Sequence, residues 1–282
     1  MNLLDDSTVV SALREVQTGE RIGMTLAVNA IAPPLYGRES VRHTLMEVDR
    51  NIWDDKLDDF FPQASSQWDG FRHVRCREFG FYGGVTEDPP EMLDRLGINH
   101  WSARGIIGRG VLLDVERHLR INGIQYDPLT EVSITADLLA EVAVSQQVEI
   151  QRGDILCLRF GWVTGYRDLE ESKRKAYASI PGSPPYAGLA ADESSARAIW
   201  NWKIAALACD NPGVEVSPGD PNVGNLHRRL IPGLGLAVGE LFDFNALADQ
   251  CAVENRWSFL FVAVPMNVPG GVGSPANAVA IR

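Results

Sequence analysis

The stretch SSQWDGFRHV, residues 65 to 74, places a carboxylate, Asp69, four residues before an imidazole, His73. On a helix this spacing would give an exposed ion pair worth about 0.3 kcal/mol. Gly70 argues against a helix, because glycine costs about 1 kcal/mol relative to alanine in a helix interior and marks turns and close backbone approaches. We therefore expect the pair on a loop or at a strand end. There it would form either a local hydrogen bond or part of a metal or acid–base site.

Two further residues could join such a site. His227 follows the loop GDPNVGN, and Glu240 stands thirteen positions later in the apolar stretch LGLAVGELFDF. A carboxylate in apolar surroundings needs a partner, which can be a metal ion or a set of backbone N–H donors. Considered singly, each residue leaves both interpretations open.

Considered together, these residues have a known arrangement. The chain resembles the cyclase family of metal-dependent hydrolases, which includes bacterial kynurenine formamidase and isatin hydrolase. The signature of that family is His-x-Gly-Thr-His-x-Asp-x-Pro-x-His, and QASSQWDGFRH occupies the same frame. Asp69 falls on the signature aspartate and His73 on the final histidine. Further segments resemble the family in the same order, namely residues 108–114, 149–162, 227–247 and 259–281.

The resemblance implies a role for each of the four residues. Asp69, His227 and Glu240 would be metal ligands, and His73 would be the catalytic acid–base residue beside the metal. A metal of this kind would polarise a carbonyl group and lower the pKa of a bound water. His73, with an ordinary pKa near 6.5, could then carry the proton from the water to the leaving group.

The signature also differs from the family pattern at several positions. Gln63 and Gln67 stand where the family has two metal-binding histidines, Ser65 replaces the glycine and Phe71 replaces the proline. A glutamine binds metal only weakly through its neutral amide oxygen, so we expect one metal rather than two. With Gln67 as a weak fourth ligand, the set offers mainly oxygen donors, and we expect manganese or zinc.

Aromatic residues near the signature are candidates for a substrate pocket. Aromatic side chains at such spacing are more often core residues, yet a pocket for a flat ring would also need them. The candidates for substrate binding are Trp68, Phe71, Phe81 and Trp101. Asp210 ends a predicted buried strand and is interpreted as a turn carboxylate rather than a partner of the site.

The predicted activity is hydrolysis of a small carbonyl compound, namely a lactone, a cyclic amide, or an aryl amide or formamide. Two alternatives remain open at this stage. The chain could be a metal-poor relative that only binds a small molecule, or a cyclase that catalyses ring closure in a biosynthetic pathway. The presence of a metal distinguishes the alternative that only binds a small molecule from hydrolysis and from ring closure.

The elements that must position these residues are predicted from hydrophobic runs. Short apolar runs bounded by turn residues are typical of strands buried on both faces. Between them, residues 135–146 and 192–203 are helix-like, with Thr135 as the expected cap of the first. The alternation predicts an α/β domain over residues 1–282, with a mixed central sheet or barrel-like β core and flanking helices. The four runs are GVLLDV (110 to 115), DILCLRFGW (154 to 162), KIAALACD (203 to 210) and FLFVAVP (259 to 265).

Composition narrows the classes of partner. The chain of 282 residues has a formal net charge of −11 with scattered basic residues, so we expect a small-molecule substrate and no nucleic-acid partner. No apolar run reaches the length of a bilayer span, so we expect no membrane association. The four cysteines are far apart in sequence, which is typical of thiols in a reducing compartment, and we expect a cytoplasmic protein. We also expect a homodimer or homotetramer.

Overall fold

The structure is a computed structural model that describes residues 2–282. Most of its strands belong to one nine-stranded sheet. The first part of the chain contains β1 Arg21–Gly23, β2 Arg42–Asp49, β3 Ile52–Asp58, β4 Gln67–Asp69, β5 Ile106–Asp114 and β6 Ser133–Ile134. The second part contains β7 Ile155–Arg159, β8 Gly188–Leu189, β9 Ala206–Cys209, β10 Ala237–Glu240, β11 Ser258–Ala263, β12 Gly273–Pro275 and β13 Ala278–Ile281.

The helices follow the strands in alternation through the middle of the chain. They are α1 Asp6–Ala12, α2 Asn99–Ser102, α3 Val115–Ile121, α4 Ala136–Ser145, α5 Trp162–Asp168, α6 Glu171–Ala178, α7 Glu193–Trp202, α8 Leu226–Arg228 and α9 Asn245–Glu254. A π-helical turn, Arg229–Leu234, continues α8. Short 3-10 helices cover Leu13–Glu15, Pro62–Ala64, Arg77–Phe79, Tyr82–Gly84 and Pro89–Glu91.

The large sheet is mixed, with the strand order β1-β13-β11-β5-β7-β9-β10-β4-β12. Its centre, β5-β7-β9-β10, is parallel, and the strands on either side pair antiparallel. Each of the four apolar runs predicted from the sequence contains or overlaps a strand of this sheet, namely β5, β7, β9 or β11. The predicted α/β architecture with a mixed central sheet is therefore confirmed.

Each face of the sheet is covered by its own apolar cluster. One cluster includes Trp68, Phe242 and Phe261 and packs against α9. The other includes Val238 and Leu207 together with apolar residues of α3, α4 and α7. We call this second side the site face. Because successive side chains of a strand point to opposite faces, neighbours along β4 or β10 belong to different faces.

Local signals fix the ends of the predicted helices. Thr135 caps α4 by accepting a hydrogen bond from the N–H of Leu138, as the sequence predicts. Asp192 caps α7 in the same way through the N–H of Ser195. Such caps satisfy backbone donors that would otherwise have no partner in the first helical turn.

One carboxylate joins two of the parallel strands. Asp210, directly after β9, accepts hydrogen bonds from the N–H groups of Phe160 (2.7 Å) and Gly161 (2.8 Å), directly after β7. Asp210 is only 1% exposed. Its two hydrogen bonds connect the ends of these two strands. Within residues 2–282, no helix combines the length and apolar character needed to cross a bilayer.

Candidate metal centre

Strands β4 and β10 bring the first part of the site together. In their antiparallel ladder Gln67 lies opposite Glu240, and Asp69 lies opposite Val238. Residues directly opposite each other point to the same face, so Gln67, Asp69 and Glu240 all lie on the site face. All three are at most 2% exposed.

The prediction that Trp68 binds substrate is wrong. Trp68 stands between Gln67 and Asp69 on β4, so its side chain points to the opposite face of the sheet. Its ring packs edge-on against Phe242 and Phe261, with centroids 5.3 and 6.0 Å away, and is fully buried. Its indole N–H donates to the carbonyl of Ala276. Trp68 is a core residue that supports the strand from behind.

His227 reaches the site face from the short helix α8. Asn225 caps this helix by accepting a hydrogen bond from the N–H of Arg228. The Nε2 of His227 lies 2.8 Å from Oε1 of Glu240, and its Nδ1 lies 2.6 Å from Oε2 of Glu215. The imidazole is therefore held between two carboxylates.

The two carboxylates dominate the charge state of this histidine. Burial alone lowers the pKa of His227, but Glu215 and Glu240 outweigh it, and the pKa lies well above its ordinary value. Burial alone raises the pKa of Glu215, but the charge and hydrogen bond of His227 lower it below the ordinary value. Each ring nitrogen of His227 thus lies within hydrogen-bond distance of a carboxylate oxygen.

Glu240 is held by two donors besides His227. The backbone N–H of Val214 donates to Oε1 over 3.1 Å, and the amide Nε2 of Gln67 donates to Oε2 over 2.7 Å. The other amide atom of Gln67, Oε1, is buried and accepts no hydrogen bond from the described residues. The amide of Gln67 therefore has a buried carbonyl oxygen without a donor among residues 2–282.

Asp69 is the least satisfied group of the site. Neither of its carboxylate oxygens accepts a hydrogen bond from any residue in 2–282, although both are buried. Oδ1 lies 3.7 Å from Nε2 of His73, and Oδ2 lies 3.8 Å from Nε2 of His227. Burial raises the pKa of Asp69 to about 6, and Glu240 adds to the rise, while the two histidines oppose it.

These residues fit a divalent metal ion. One ligand atom each from Asp69, His227 and Glu240 can be chosen so that all lie within 4.8 Å of one another. A buried carboxylate without donors costs several kcal/mol unless a cation compensates it. The buried Oε1 of Gln67 lies next to this set, since the amide nitrogen of the same side chain donates to Glu240. A set of mainly oxygen donors with one nitrogen suits manganese and is tolerated by zinc.

His73 stands at the more open side of the site. Its backbone N–H donates to the carbonyl of Gly70 in a turn directly after β4, so the pair lies at a strand end as the glycine predicts. Its side chain is 28% exposed, whereas that of Asp69 is fully buried. The rings of His73 and His227 are 6.5 Å apart. His73 can therefore contact both the buried carboxylate and an incoming molecule.

Three of the four aromatic candidates stay predictions as substrate contacts. Phe71 stacks on Tyr82 with centroids 4.5 Å apart and packs edge-on against Trp101 at 5.0 Å. Phe71 and Trp101 also line an open cavity of about 760 Å³. Phe81 is buried and pairs with Val85 in an isolated β-bridge.

The other glutamine of the signature lies at the edge of the site face. The backbone carbonyl of Gln63 accepts a hydrogen bond from Arg38 over 2.7 Å. Its amide nitrogen lies 2.5 Å from the place that a Cβ at Gly273 would take, and Gly273 pairs with Asp69 across the ladder. Among the His, Cys, Asp and Glu residues of 2–282, Asp69, His227 and Glu240 form the one set whose ligand atoms lie this close together.

Sequence reasoning missed three residues that belong to the surroundings of the site. Glu215 contacts His227 and lies in the long loop 211–225, which is rich in proline and glycine. An acidic residue in so long a loop is the signal that could have identified it. The hydroxyls of Tyr36 and Tyr186 lie 2.9 Å apart. Burial raises the pKa of both tyrosines, and the charge of Glu240 adds to the rise, which places both near that carboxylate.

Comparisons with known proteins identify the family of the chain. The model of the Cyclase family matches residues 27–216, which is more than half of the chain. A crystal structure described as a novel cyclase is 27% identical, with a TM-score of 0.84 over 100% of this chain and 94% of the other. None of the curated proteins matches the sequence.

Two more distant structures share the fold. Isatin hydrolase A from Labrenzia aggregata, bound to benzyl benzoate, has a TM-score of 0.67 at 14% identity and covers 97% of each chain. A protein from Bacillus stearothermophilus described as a predicted metal-dependent hydrolase has a TM-score of 0.53 at 16% identity, over 93% of this chain and 97% of the other.

Proposed function

Because this chain belongs to the cyclase family, we propose that it is a metal-dependent hydrolase acting on a small carbonyl compound. The substrate class is a lactone, a cyclic amide, or an aryl amide or formamide. The observation that carries the proposal is the buried carboxylate of Asp69, which has no hydrogen-bond donor among residues 2–282 and lies close to His227 and Glu240. The hydrolase names of two structural neighbours support the same reaction type.

Asp69, His227 and Glu240 would hold one ion, with Oε1 of Gln67 as a weak fourth ligand. A bound divalent metal of this kind polarises a carbonyl and makes hydroxide available from water near neutral pH. To bind it, His227 must release the proton on Nε2, since only a neutral imidazole can ligate. Glu215 keeps the other proton on Nδ1 and so fixes the orientation of the ring.

His73 would transfer protons during the reaction. Hydrolysis adds the oxygen of water to the carbonyl carbon and breaks the bond from that carbon to nitrogen or oxygen. The proton lost by the water must reach the leaving atom, and His73 is the partly exposed imidazole next to Asp69. General acid–base groups of this kind typically contribute about 10²- to 10⁴-fold in rate.

The test combines metal content and activity. Protein purified without chelator should carry about one manganese or zinc per chain by elemental analysis. His73→Ala should lose hydrolysis by about 10²-fold or more while keeping its metal, whereas Asp69→Ala should lose both. Turnover of His73→Ala close to that of the unchanged protein would remove His73 from the mechanism. Two fully occupied metals sharing Asp69 would overturn the assignment of a single ion.

One observation favours a second candidate, a metal-poor protein that binds a small carbonyl compound without hydrolysing it. The amide N–H of Gln67 donates to Glu240, so one oxygen of a candidate ligand is already used. A chain that takes up neither manganese nor zinc after incubation would support this alternative. Ring closure, the reverse type of reaction, uses the same residues and is separated from hydrolysis by supplying the open-chain compound and following its loss of water.

A further inference from the structure

Arg38 is a half-buried arginine whose hydrogen-bond donors are mostly unused. Its Nη1 donates to the backbone carbonyl of Gln63 over 2.7 Å. Within residues 2–282, its Nε and Nη2 donate no hydrogen bond, and the guanidinium forms no ion pair with a carboxylate. Arg72 shows the contrast, because all three of its side-chain nitrogens donate to backbone carbonyls. The chain has 37 acidic and 26 basic residues, so a half-buried cation without an acidic partner needs an explanation.

Two contacts hold the guanidinium of Arg38 in place. Its Cζ lies 5.1 Å from the centroid of the Tyr36 ring, a distance at which a cation is attracted to the aromatic face. The carbonyl of Gln63 fixes one of its nitrogens. Because the guanidinium is planar and rigid, fixing one nitrogen and one face gives the remaining N–H groups a defined direction. Arg38 is therefore prepared to bind a partner that the described part of the chain does not supply.

One set of contacts places Arg38 at the Asp69 side of the metal centre. The amide nitrogen of Gln63 lies 2.5 Å from the place that a Cβ at Gly273 would take, and Gly273 pairs with Asp69 across the ladder. Opposite residues of a ladder share a face, so Gln63 covers the site face next to Asp69. Burial raises the pKa of Asp69, and the positive charge of Arg38 is among the charges that oppose this rise. The guanidinium therefore lies close enough to influence the buried carboxylate.

A second set of contacts leads to the Glu240 side of the centre. The hydroxyl of Tyr36, whose ring supports Arg38, lies 2.9 Å from the hydroxyl of Tyr186. The hydroxyl of Tyr186 lies 2.5 Å from the place that a Cβ at Gly213 would take. The residue after Gly213 donates its backbone N–H to Glu240. Arg38 and the two tyrosines therefore belong to one wall of the centre.

Space for a small molecule lies at the same edge of the site. A cavity of about 300 Å³ is lined by Gln63 and Gly273, together with Phe60 and Val272. This volume is at the lower end of the range of about 300 to 1,000 Å³ that is typical of ligand pockets. Arg38 binds the backbone of Gln63, which forms part of the lining. A ligand at this edge is therefore near both the metal centre and Arg38.

We propose that Arg38 binds a carboxylate of the substrate, so that the substrate is a carbonyl compound with a second, anionic group. A guanidinium matches a carboxylate with two parallel hydrogen bonds, and such charge-assisted bonds are stronger than neutral ones. The carboxylate would lie at Arg38, and the reacting carbonyl beside Asp69 and His73. Two fixed points orient a small substrate better than one. The inference rests on the proposed hydrolase function and narrows its substrate class.

The charges of the site explain why such a substrate needs an arginine. Three carboxylates each place an oxygen within 3.8 Å of a ring nitrogen of His227, and the chain as a whole has a net charge of −11. This surplus of negative charge repels an anion. An unpaired guanidinium offsets the repulsion locally, and it gives no comparable advantage to a neutral compound of the same shape. Arg38 should therefore select substrates by charge.

Binding of two ketones that differ in one charged group tests this role. One is an indanone with a carboxylate on its benzylic carbon, and the other carries a methyl group in that place. Neither can be hydrolysed, so the measurement does not require activity. Isothermal titration of manganese-incubated protein should show that the unchanged chain binds the carboxylate at least about tenfold more tightly. In Arg38→Met the two dissociation constants should agree to within about threefold.

Two further variants separate charge recognition from a structural role. Arg38→Lys keeps the positive charge and should retain a preference for the carboxylate of at least about threefold. Arg14→Met removes the same charge from an exposed place in the 3-10 helix Leu13–Glu15, and it should leave the preference unchanged. If Arg38→Met weakens binding of both ketones equally, Arg38 only supports the backbone at Gln63 and the proposal is wrong. The absence of any preference in the unchanged protein would overturn it as well.

Two lactones distinguish failure of this inference from failure of the proposed function. They are phthalides with a carboxylate or a methyl group on the benzylic carbon. If the unchanged protein and Arg38→Met hydrolyse both with equal kcat/KM, the hydrolase function stands and Arg38 has no part in recognition. If neither lactone is hydrolysed but the ketone carboxylate binds through Arg38, the anion site stands and the hydrolase proposal loses support. Faster hydrolysis of the carboxylate lactone, lost in Arg38→Met through a raised KM, supports both.

Discussion

His227 is surrounded by more negative charge than one imidazolium can balance. Glu215 lies 2.6 Å, Glu240 2.8 Å and Asp69 3.8 Å from its ring nitrogens. Three carboxylates around one imidazole leave net negative charge in a buried place, where unpaired charge is costly. A divalent cation restores the balance, and this charge argument supports the proposed metal centre independently of the signature.

Gln67 is the residue in which this chain departs most clearly from its family. If its Oε1 faces the metal, Gln67→His should tighten zinc binding, because imidazole is a better donor to zinc than a neutral amide oxygen. Gln67→Ala should loosen the metal without unfolding the protein, since only one weak ligand and one hydrogen bond are lost. Competition with a coloured chelator measures both dissociation constants.

Gln63→Ala is the matched control for this experiment, because Gln63 occupies the other glutamine position of the signature. It should leave the metal affinity within about threefold. The assignment of Gln67 fails if neither substitution at that position moves zinc or manganese affinity by more than about threefold, well below the 10- to 100-fold effects of residues that merely support ligands.

Glu215 acts on the metal through His227. Glu215→Gln keeps an acceptor for Nδ1 but removes the charge, so metal affinity should fall by only a few fold. Glu215→Ala removes the acceptor as well and should weaken metal binding by about 10- to 100-fold. Isothermal titration with manganese and zinc gives both values. An alanine variant that binds metal as tightly as the unchanged protein would show that the hydrogen bond to Glu215 does not support His227.

At the scale of elements, the site depends on how closely β4 approaches the segment before β12. Gly70 follows β4 directly, and its N–H donates to the carbonyl of Val272 over 2.9 Å. A Cβ at Gly70 would lie 2.6 Å from that same carbonyl oxygen. The glycine is therefore required by close backbone contact, which is one of the two reasons that the sequence suggests.

Gly70→Ala should consequently lower the free energy of unfolding by about 1 to 3 kcal/mol, the usual cost of overpacking. It should also weaken metal binding, because Asp69 is the neighbouring residue. Gly23→Ala in β1 is the control, since nothing lies within 4 Å of a Cβ at that position. Urea denaturation of the two variants gives the comparison, and equal stabilities would contradict the close approach.

At the scale of the whole molecule, the buried carboxylate of Asp210 makes stability depend on pH. Burial raises its pKa to about 7, although Arg159 and two backbone N–H groups lower it. In the unfolded chain the pKa is about 3.9. Between about pH 4 and pH 7 the folded protein therefore binds more protons at this group than the unfolded chain does. Its contribution to stability is present at low pH and is lost as pH rises through this window.

Asp210→Asn isolates this effect, because asparagine does not titrate. We compare the unfolding free energy of the unchanged protein with that of the variant. The unchanged protein minus the variant should fall by at most about 1.4 kcal/mol per pH unit between about pH 4 and about pH 7. Above about pH 7 the difference should stay constant. Asp88→Asn provides the control for the change from aspartate to asparagine, because the side chain of Asp88 is 74% exposed. Urea denaturation at several pH values measures this, and a difference that grows with pH would contradict the raised pKa.

The sequence by itself determined the features that depend on neighbouring residues. Hydrophobic runs predicted the four strands β5, β7, β9 and β11, and Thr135 marked the start of α4. The signature frame identified Asp69 and His73, and the family order added His227 and Glu240. These signals are local because strand burial, helix caps and ligand types are fixed by side-chain chemistry and short spacing.

The sequence also contains the alternation of side chains between the two faces of β4. That alternation would have placed Trp68 in the core, on the face of the sheet opposite to Asp69. The hairpin of β2 and β3, residues 42–58, was harder to predict. Its apolar residues are mixed with acids on both strands, so the stretch lacks the clean apolar runs that identified the other strands.

Only the tertiary structure decided which distant residues meet. Glu215 contacts His227 because a loop folds over the sheet, and Gln67 meets Glu240 because an antiparallel register aligns two strands that are 173 residues apart. No periodicity encodes such contacts, since they depend on how loops close and how strands pair. Loop closure and strand pairing depend on burial of the whole sheet. The spacing of residues within a single segment carries no information about that burial.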